Sequence, residues 1–281
     1  MNIEIKRVNS LDDLREVQRV EEAVWQGQAS IPIHQYYTAV ENGGIIIGAY
    51  DHDKLIGFSY GFPGYRNGFT YLCSHMLAFE DSYRKNGLGK HLKERQKEEA
   101  LEQGYTMICW TFDPLETVNA NLNIRKLRGI TGKYLENHYG DMKDELNQGL
   151  ATDRFLVEWW IKSDYVNEVD QYPTILWEEN FSLMDVVLND QGLPFVHKNQ
   201  LETFHDSHAQ WLVPVPDQFQ ALKKADLSLA VDWRMQTRKA FQLLLKSGYT
   251  AVDIKHIPER KICFYAFLKR NQLRLDNGGC Q

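Results

Sequence analysis

The order of hydrophobic patterns over the first 162 residues is the feature that most constrains the fold. Alternating runs and short apolar runs indicate strands, and apolar residues three or four positions apart indicate helices. In chain order these patterns predict the series β-α-α-β-β-β-α-β-α-β-β. This order excludes a doubly wound parallel sheet and an all-β sandwich, so we expect a mixed α/β (α+β) domain.

Caps and turn residues set the limits of several predicted elements. Ser10 followed by Asp13 resembles a capping box at the start of the first helix. A glycine-containing loop at 63–68 separates the third strand from a longer fourth strand. Gly104 is a natural stop for the helix that begins near Leu88. The last predicted elements of this region are a helix at 117–127 and strands at 130–139 and 154–161.

The remainder of the chain predicts a second, smaller α/β domain. The pattern loosens over 164–173, so we expect domains at 1–164 and 165–281. A strand, a long helix, a Gly-Tyr pair and a strand recur in both halves, with the pairs at Gly104-Tyr105 and Gly248-Tyr249. The second domain could therefore be a degenerate copy of the first, or it could serve dimerisation.

Composition and charge narrow the classes of function. Of 281 residues, 38 are acidic and 32 are basic, and this acidic balance disfavours general binding of nucleic-acid phosphates. No run approaches the ~20 apolar residues of a membrane span, and the segment MNIEIKRVNSLDD lacks the apolar core of a signal peptide. The four cysteines are widely spaced and read as reduced thiols. We expect a soluble cytoplasmic protein without nucleic-acid, membrane or metal partners.

The segment Arg84-Lys85-Asn86-Gly87-Leu88-Gly89-Lys90 carries the clearest chemical signal, since it joins a predicted strand to a predicted helix. Its two glycines allow a tight turn and close approach of a ligand to the backbone. The first turn of a helix leaves N–H groups without partners, and its dipole favours anions. The segment therefore predicts a phosphate cradle, to which Arg84 and Lys90 add positive charge.

An RxxGxG segment behind an antiparallel meander resembles the acyl-CoA pyrophosphate loop of the GNAT superfamily of N-acetyltransferases. The predicted element order over 1–162 is that of a whole GNAT domain. Four segments are similar to a GNAT branch with an extra C-terminal domain, some of whose members look like acyltransferases for amino-acid amines, with succinyl-CoA among their donors. These segments are SHML at 74–77, RKNGLG at 84–89, TFDPLETVNANLN at 111–123 and TDRFLVEW at 152–159.

The resemblance implies a GNAT-like, mostly antiparallel twisted sheet flanked by helices, with acetyl-CoA or another acyl-CoA, succinyl-CoA included, as the cofactor. It places the pantetheine arm beside the end of the fourth strand, which splays from the fifth to admit it. Asparagines near the cofactor are common in the helix after the fifth strand, although asparagine also caps helices for local reasons. The implied cofactor-binding residues are Leu77, Ala78, Phe79, Arg84, Lys85, Asn86, Gly87, Leu88, Gly89, Lys90, Asn119 and Asn121.

The candidate base is His75, which lies on the fourth predicted strand and titrates near neutrality. Its alternative role is a partly buried structural histidine. Arg125 stands four residues before Gly129, where GNAT enzymes commonly have the tyrosine that serves as general acid. Tyr134, His138 and Tyr139 on the next predicted strand could replace it, and spacing does not choose among them. A ping-pong thiol at Cys73 or Cys109 is less favoured, because strand cysteines usually act as small hydrophobes.

Arg154 is a candidate ligand for the carboxylate of an amino-acid acceptor or of a dicarboxylic acyl group, and its alternative is a surface ion pair. The leading hypothesis is an acyl-CoA-dependent N-acyltransferase acting on a small primary amine by direct transfer in a ternary complex. A non-catalytic CoA-binding module is the alternative, and protein acetylation is a weaker third hypothesis. Formation of a homodimer stays open.

Overall fold

The computed structural model describes residues 3–25, 31–84, 87–140, 147–168 and 173–275. The chain divides into two compact units. The first contains residues 1–110 and 160–162, and the second contains residues 111–159 and 163–281.

The first unit contains a mostly antiparallel sheet in the order β1-β2-β3-β4-β5. Each strand pairs antiparallel with its neighbour except β4 and β5, which run parallel. The strands are β1 (Ile3–Arg7), β2 (Ile45–Asp51), β3 (Lys54–Arg66), β4 (Phe69–Phe79) and β5 (Ile108–Phe112), whose first three residues belong to this unit. The helices are α1 (Leu11–Val24), α2 (Ile33–Glu41) and α3 (Leu88–Glu102).

The predicted cap at Ser10 is confirmed, since its Oγ accepts a hydrogen bond of 3.1 Å from the amide of Asp13. Helix α1 buries Leu14, Val17 and Val20 in a core that also contains aromatic residues of α2 and β3. Each such side chain contributes about 1.5–3 kcal/mol when it is fully buried. The apolar face read from the sequence therefore holds α1 in place.

The second unit contains three small groups of strands. The end of β5 is followed in sheet order by β7 and β6, and the other groups are β10-β12-β11 and the hairpin β8-β9. Their bounds are β6 (Ile130–Leu135), β7 (Arg154–Trp159), β8 (Met184–Leu188), β9 (Pro194–Asn199), β10 (Gln210–Pro216), β11 (Tyr249–Ile257) and β12 (Ile262–Lys269). The helices are α4 (Thr117–Ala120), which continues as a π-helix (Asn121–Lys126), α5 (Asp164–Asn167), α6 (Phe219–Ala225) and α7 (Leu227–Lys246).

The strand orders β5-β7-β6 and β10-β12-β11 have the same connectivity, because in each the last strand of the sequence lies between the other two. A helical segment follows the first strand in both. The two groups meet at β6 and β11, where the Thr250 hydroxyl donates to the Thr131 carbonyl at 2.8 Å and the Ala251 amide donates to the Thr131 hydroxyl at 2.9 Å. This likeness supports an internal repeat. It makes β10 correspond to β5, whereas the repeat in the sequence makes β10 correspond to β4.

The predicted loop at 63–68 is wrong over 63–66, because β3 continues through Arg66. The last β2–β3 pair joins Ile45 to Gly61, and Pro63 pairs with Leu72 of β4. The missing N–H of Pro63 therefore costs no bond to β2, since β2 does not extend that far.

Three other predicted elements end earlier or differ in form. Strand β6 ends at Leu135, so His138 and Tyr139 lie in a turn, where Asn137 has a positive φ of 40°. Strand β7 ends at Trp159 rather than at 161. The helix predicted at 117–127 is α-helical for one turn and then π-helical.

The compact units do not coincide with the predicted boundary at residue 164. Strands β6 and β7 fall in the second unit, where β6 packs against α7 and bonds to β11. The assignment of domains to 1–164 and 165–281 stays a prediction.

Candidate functional site

The ladder between β4 and β5 is short. Among the described residues it consists of the pairs Leu72–Ile108 and Cys73–Cys109, although both strands continue beyond them. Immediately after this point β4 has a bulge, because Ser74 pairs with Gly61 and Met76 pairs with Tyr60. His75 is the extra residue. A bulge bends its strand and re-aims a side chain, so the edge of β4 beyond Cys73 is available to a ligand.

His75 is exposed at this bulge. Its ring lies edge-on to the rings of Tyr60 and Phe62, with centroid distances of 6.3 and 5.9 Å. This packing removes water from one side of the imidazole and lowers its pKa below the usual 6.5. Burial therefore favours the neutral ring, and the role of His75 as a base stays a prediction.

A buried lysine, Lys93, lies beside the bulge and contacts Ser74, the residue before His75. The Nζ of Lys93, on α3, donates to the Ser74 hydroxyl at 2.6 Å and lies 3.9 Å from the centre of the Trp110 ring. Burial lowers the pKa of Lys93 to about 7. The sequence analysis missed this residue. Its burial was indicated by its position, because Lys93 lies at helical spacing from Gln96 and Ala100 on the buried face of α3.

The predicted phosphate loop ends at the first turn of α3. Gly87 is the N-cap residue, with φ +78°, and a Cβ added there would have no atom within 4 Å. Arg84 donates to the Phe79 carbonyl at 3.3 Å and pairs with Asp81 at 3.0 Å. Lys90 pairs with Glu94 on the same helix at 3.3 Å. Lys85 and Asn86 lie outside the described residues. The glycine thus leaves open space at the positive end of the helix.

The three residues predicted beside a pantetheine arm form the end of β4. Ala78 is buried in the core, whereas Leu77 and Phe79 are partly exposed. Gly57 faces Phe79 across the β3–β4 ladder, and a Cβ there would lie 2.2 Å from the Phe79 ring. Because Gly57 has no side chain, the Phe79 ring can pack directly against its backbone.

Asn119 and Asn121 fall in the second unit, and neither is the N-cap residue of α4, which is Glu116; Asn121 is its C-cap residue. Asn119 is exposed. Asn121 lies with Arg125 on the wall of a cleft of about 360 Å³. Arg125 donates to the Ile254 carbonyl at 3.0 Å, so the position of the usual tyrosine contains an arginine bound to β11.

Tyr134 belongs to a buried cluster of hydrogen-bonded ionic groups in the second unit. Its hydroxyl donates to Asp153 at 2.5 Å, and Arg238 donates two hydrogen bonds of 2.8 Å to the same carboxylate. Burial, followed by the charge of Asp153, raises the pKa of Tyr134 well above 10. These contacts make Tyr134 a reluctant proton donor.

Tyr139 and Arg154 lie together in the second unit. The Tyr139 hydroxyl is 2.9 Å from that of Thr111, and the Arg154 guanidinium lies 5.3 Å from the centre of the Tyr139 ring. Arg154 is buried, donates to Asn147 at 2.8 Å and is 3.7 Å from Asp113. It is therefore not the surface ion pair that was its alternative reading.

Asp113 is shared unequally between two arginines. Arg234 holds it through two hydrogen bonds, of 2.8 and 2.5 Å, which leaves Arg154 as the more distant partner. The roles predicted for His75, Tyr134, Tyr139 and Arg154 stay predictions.

The described ranges contain no group of three or more potential metal ligands. In the same part of the chain, no helix has the length and apolar character to cross a membrane. Cys73 and Cys263 have free thiols.

Residues 11–127 match the family model described as the Acetyltransferase (GNAT) family. The search of curated proteins finds no significant match. Solved structures similar to the chain include an N-acetyltransferase from Staphylococcus aureus, with 18% identity, a TM-score of 0.47, and coverage of 58% of this chain and 100% of the other. The ribosomal-protein-S18-alanine N-acetyltransferase from Escherichia coli has 14% identity, a TM-score of 0.46, and coverage of 57% and 94%.

A putative acetyltransferase from Salmonella typhimurium, solved with its cofactor acetyl-CoA, is also similar. Its identity is 13% and its TM-score 0.47, with coverage of 57% of this chain and 94% of the other. The chain shares at most 18% identity with these three structures, which therefore say nothing about its substrate.

Proposed function

Because the chain carries an acetyltransferase domain of the GNAT family at residues 11–127, we propose that it is an acyl-CoA-dependent N-acyltransferase for a small primary amine. The observation that carries this proposal is the end of the β4–β5 ladder at Cys73–Cys109, followed at once by the bulge at His75. It lies inside the matched residues. A free strand edge beside an exposed, neutral imidazole suits the binding of a thioester and the removal of a proton from an amine.

The acyl-CoA is proposed to bind along β4 and at the start of α3. Peptide groups near Leu77 are suited to the pantetheine arm and to polarising the thioester carbonyl. The open space at Gly87 and the unpartnered amides of a first helical turn are suited to the pyrophosphate, with Arg84 and Lys90 as nearby cations. We propose acetyl-CoA as the donor and retain succinyl-CoA as a second donor to be tested.

The reaction is proposed to be direct transfer in a ternary complex. His75 takes a proton from the acceptor ammonium, and the neutral amine then attacks the thioester carbonyl. An amino acid is the proposed acceptor, and Arg154 is the proposed ligand of its carboxylate. Its support is local: a buried guanidinium whose carboxylate partner among the described residues, Asp113, is 3.7 Å away, beside the hydroxyls of Tyr139 and Thr111. A cytoplasmic location is proposed from the free thiols.

A CoA-binding module without catalysis is the second candidate. Its support is Arg125, which replaces the usual tyrosine and is bonded to Ile254. An arginine does not give up a proton in proteins, so it cannot take over that residue's role as general acid.

Binding and turnover of the Gly87→Trp variant test the proposal. The indole would fill the open space before α3, so we expect CoA affinity to fall at least about tenfold, as loss of 1.4 kcal/mol or more requires. The matched control is Gly104→Trp at the other end of α3, where φ is +86° and the space is also open. This control has similar backbone strain and should bind CoA normally.

The wild type is assayed for release of CoA thiol from acetyl- and succinyl-CoA with a panel of amines. Turnover that Gly87→Trp alone abolishes supports the enzyme. CoA binding without release for any pair favours the module. No binding of CoA by the wild type contradicts both.

A further inference from the structure

Lys93 is a buried cation of the first unit for which no carboxylate partner exists among the described residues. Its side chain is 2% exposed. The Nζ donates to the Ser74 hydroxyl at 2.6 Å and to the Gln96 amide oxygen at 3.4 Å, and it lies over the Trp110 ring. Burial of an ammonium without a counter-charge is costly, and this cost points to a function for Lys93.

The position of this ammonium is defined by the two strands that separate. Cys73 and Cys109 form the last pair of the β4–β5 ladder. Ser74 and Trp110 are the next residues on the two strands, and Lys93 contacts both of them. The ammonium therefore spans the point where the strands part, directly behind the bulge that presents His75.

Other charges near Lys93 are few or already paired. Cys73 on β4 is the titratable group that acts on it, and β5 contributes the uncharged Trp110. On α3 itself, the carboxylate of Glu99 is bonded to Arg7 at 3.1 Å and to Arg95 at 2.5 Å. No described anion thus neutralises the ammonium.

We propose that Lys93 donates the proton that the thiolate of CoA needs when the acyl group has been transferred. This inference rests on the proposed function. The new N–C bond forms as the C–S bond breaks, the electron pair of the C–S bond goes to sulfur, and the nitrogen releases its remaining excess proton to water. Lys93 passes a proton to the sulfur and becomes a neutral amine. It takes a proton back from water after the thiol has left.

Two other candidate donors of this proton, Arg125 and Tyr134, are poorly suited to donate it. Arg125 is permanently charged and bonded to Ile254. The Tyr134 hydroxyl already donates its proton to Asp153. A general acid works best when its pKa lies near the working pH, and burial brings the pKa of Lys93 to about 7.

The test compares Lys93→Met, which removes the charge, with Lys93→Arg, which keeps a charge that it cannot donate. The control is Lys97→Met, one turn further along α3. At pH 7 we expect kcat for CoA release to fall about 100-fold in both Lys93 variants, the usual size of a general-acid contribution. The affinity for CoA should stay within about twofold and the control should be near wild type, since no pyrophosphate contact is altered.

Two readouts separate proton donation from a structural role. The wild-type kcat should fall as pH rises through the pKa of Lys93, and this alkaline fall should vanish in Lys93→Met. The thiol of bound CoA, followed by its thiolate absorbance, should have a higher pKa in Lys93→Met than in Lys93→Arg, because the arginine stays charged while the thiol titrates and a nearby cation favours the thiolate.

An alkaline fall that persists in Lys93→Met, or an equal thiol pKa in the two Lys93 variants, overturns the role of Lys93 while leaving the proposed function in place. Full activity in Lys93→Arg also overturns proton donation. If Lys93→Met does not fold, Lys93→Arg alone decides the question. A wild type that releases no CoA contradicts the proposed function, and this inference with it.

Discussion

At the scale of single residues, the buried polar groups differ in how fully they are compensated. Asp153 accepts from Tyr134, from Arg238 and from the Asn137 amide, so its charge is well satisfied. Glu21 is buried without a cation among the described residues and accepts from the Tyr36 hydroxyl at 2.8 Å and the Ile31 amide at 3.1 Å. The charge of Asp153 is therefore compensated by its partners. The carboxyl group of Glu21 lacks such compensation, so it makes the stability of the protein depend on pH.

Tyr134→Phe is expected to destabilise the protein by about 1–2 kcal/mol, because it removes one hydrogen bond to a charged, buried acceptor. Urea denaturation measures the change in the free energy of unfolding. CoA release should change less than about threefold if the hydroxyl serves structure alone, by the usual reading of mutant kinetics. A large loss of kcat with unchanged stability would instead return Tyr134 to the candidates for catalysis.

Glu21 should make the protein less stable as pH rises. Burial raises its pKa above the usual 4.5, so the folded state binds its proton more tightly than the unfolded state does. The resulting stabilisation is present at low pH and is lost as pH rises through the raised pKa. In Glu21→Gln this loss should be absent, so the stability of the wild type relative to the variant should decline as pH increases above about 4.5. A difference that stays constant with pH would show that Glu21 does not titrate in this way.

At the scale of elements, the sequence predicted the first unit well because its strands and helices have local signals. The cap at Ser10, the stop at Gly104 and the period of α1 depend on neighbouring residues alone. The continuation of β3 through Pro63 depends on where β2 ends, and the bulge at His75 depends on register with β3. Those features require partners far along the chain, and the sequence pattern does not contain them.

The cap of α1 gives an element-scale prediction. Ser10→Ala removes the acceptor of the Asp13 amide and should cost about 0.5–2 kcal/mol of unfolding free energy. Ser10→Thr keeps the oxygen and should lose much less. Thermal unfolding compares the three proteins. Equal stability of all three would mean that the cap bond seen at the start of α1 does not contribute.

At the scale of the whole molecule, each compact unit has its own buried organisation. The first is ordered around an aromatic and aliphatic core beside the strand opening. The second buries ion pairs, among them Arg234–Asp113 and Arg238–Asp153. The sequence identified Arg154 by its position before a strand, yet Arg234 had no local signal, since its partner is 121 residues away.

Arg234→Met should therefore weaken the second unit strongly. It leaves the buried carboxylate of Asp113 with Arg154 as a distant partner, and removal of one member of a buried pair costs about 3–5 kcal/mol. The matched control is Arg260→Met, whose partner Glu179 is mostly exposed and whose loss should cost no more than about 1 kcal/mol. Hydrogen exchange of β10 and β12 amides reports on this unit. Similar effects of the two substitutions would contradict the importance of the enclosed pair.

The proposed acyl transfer from acyl-CoA to an amine is best tested by analysing both products of one reaction mixture. Purified wild-type protein is incubated with acetyl-CoA and a panel of amino acids and other small amines, and CoA thiol and N-acetylated amine are quantified together. The account predicts equal amounts of the two products for at least one amine, and neither product with Gly87→Trp. No CoA release with any amine, in a protein that also fails to bind CoA, would contradict it.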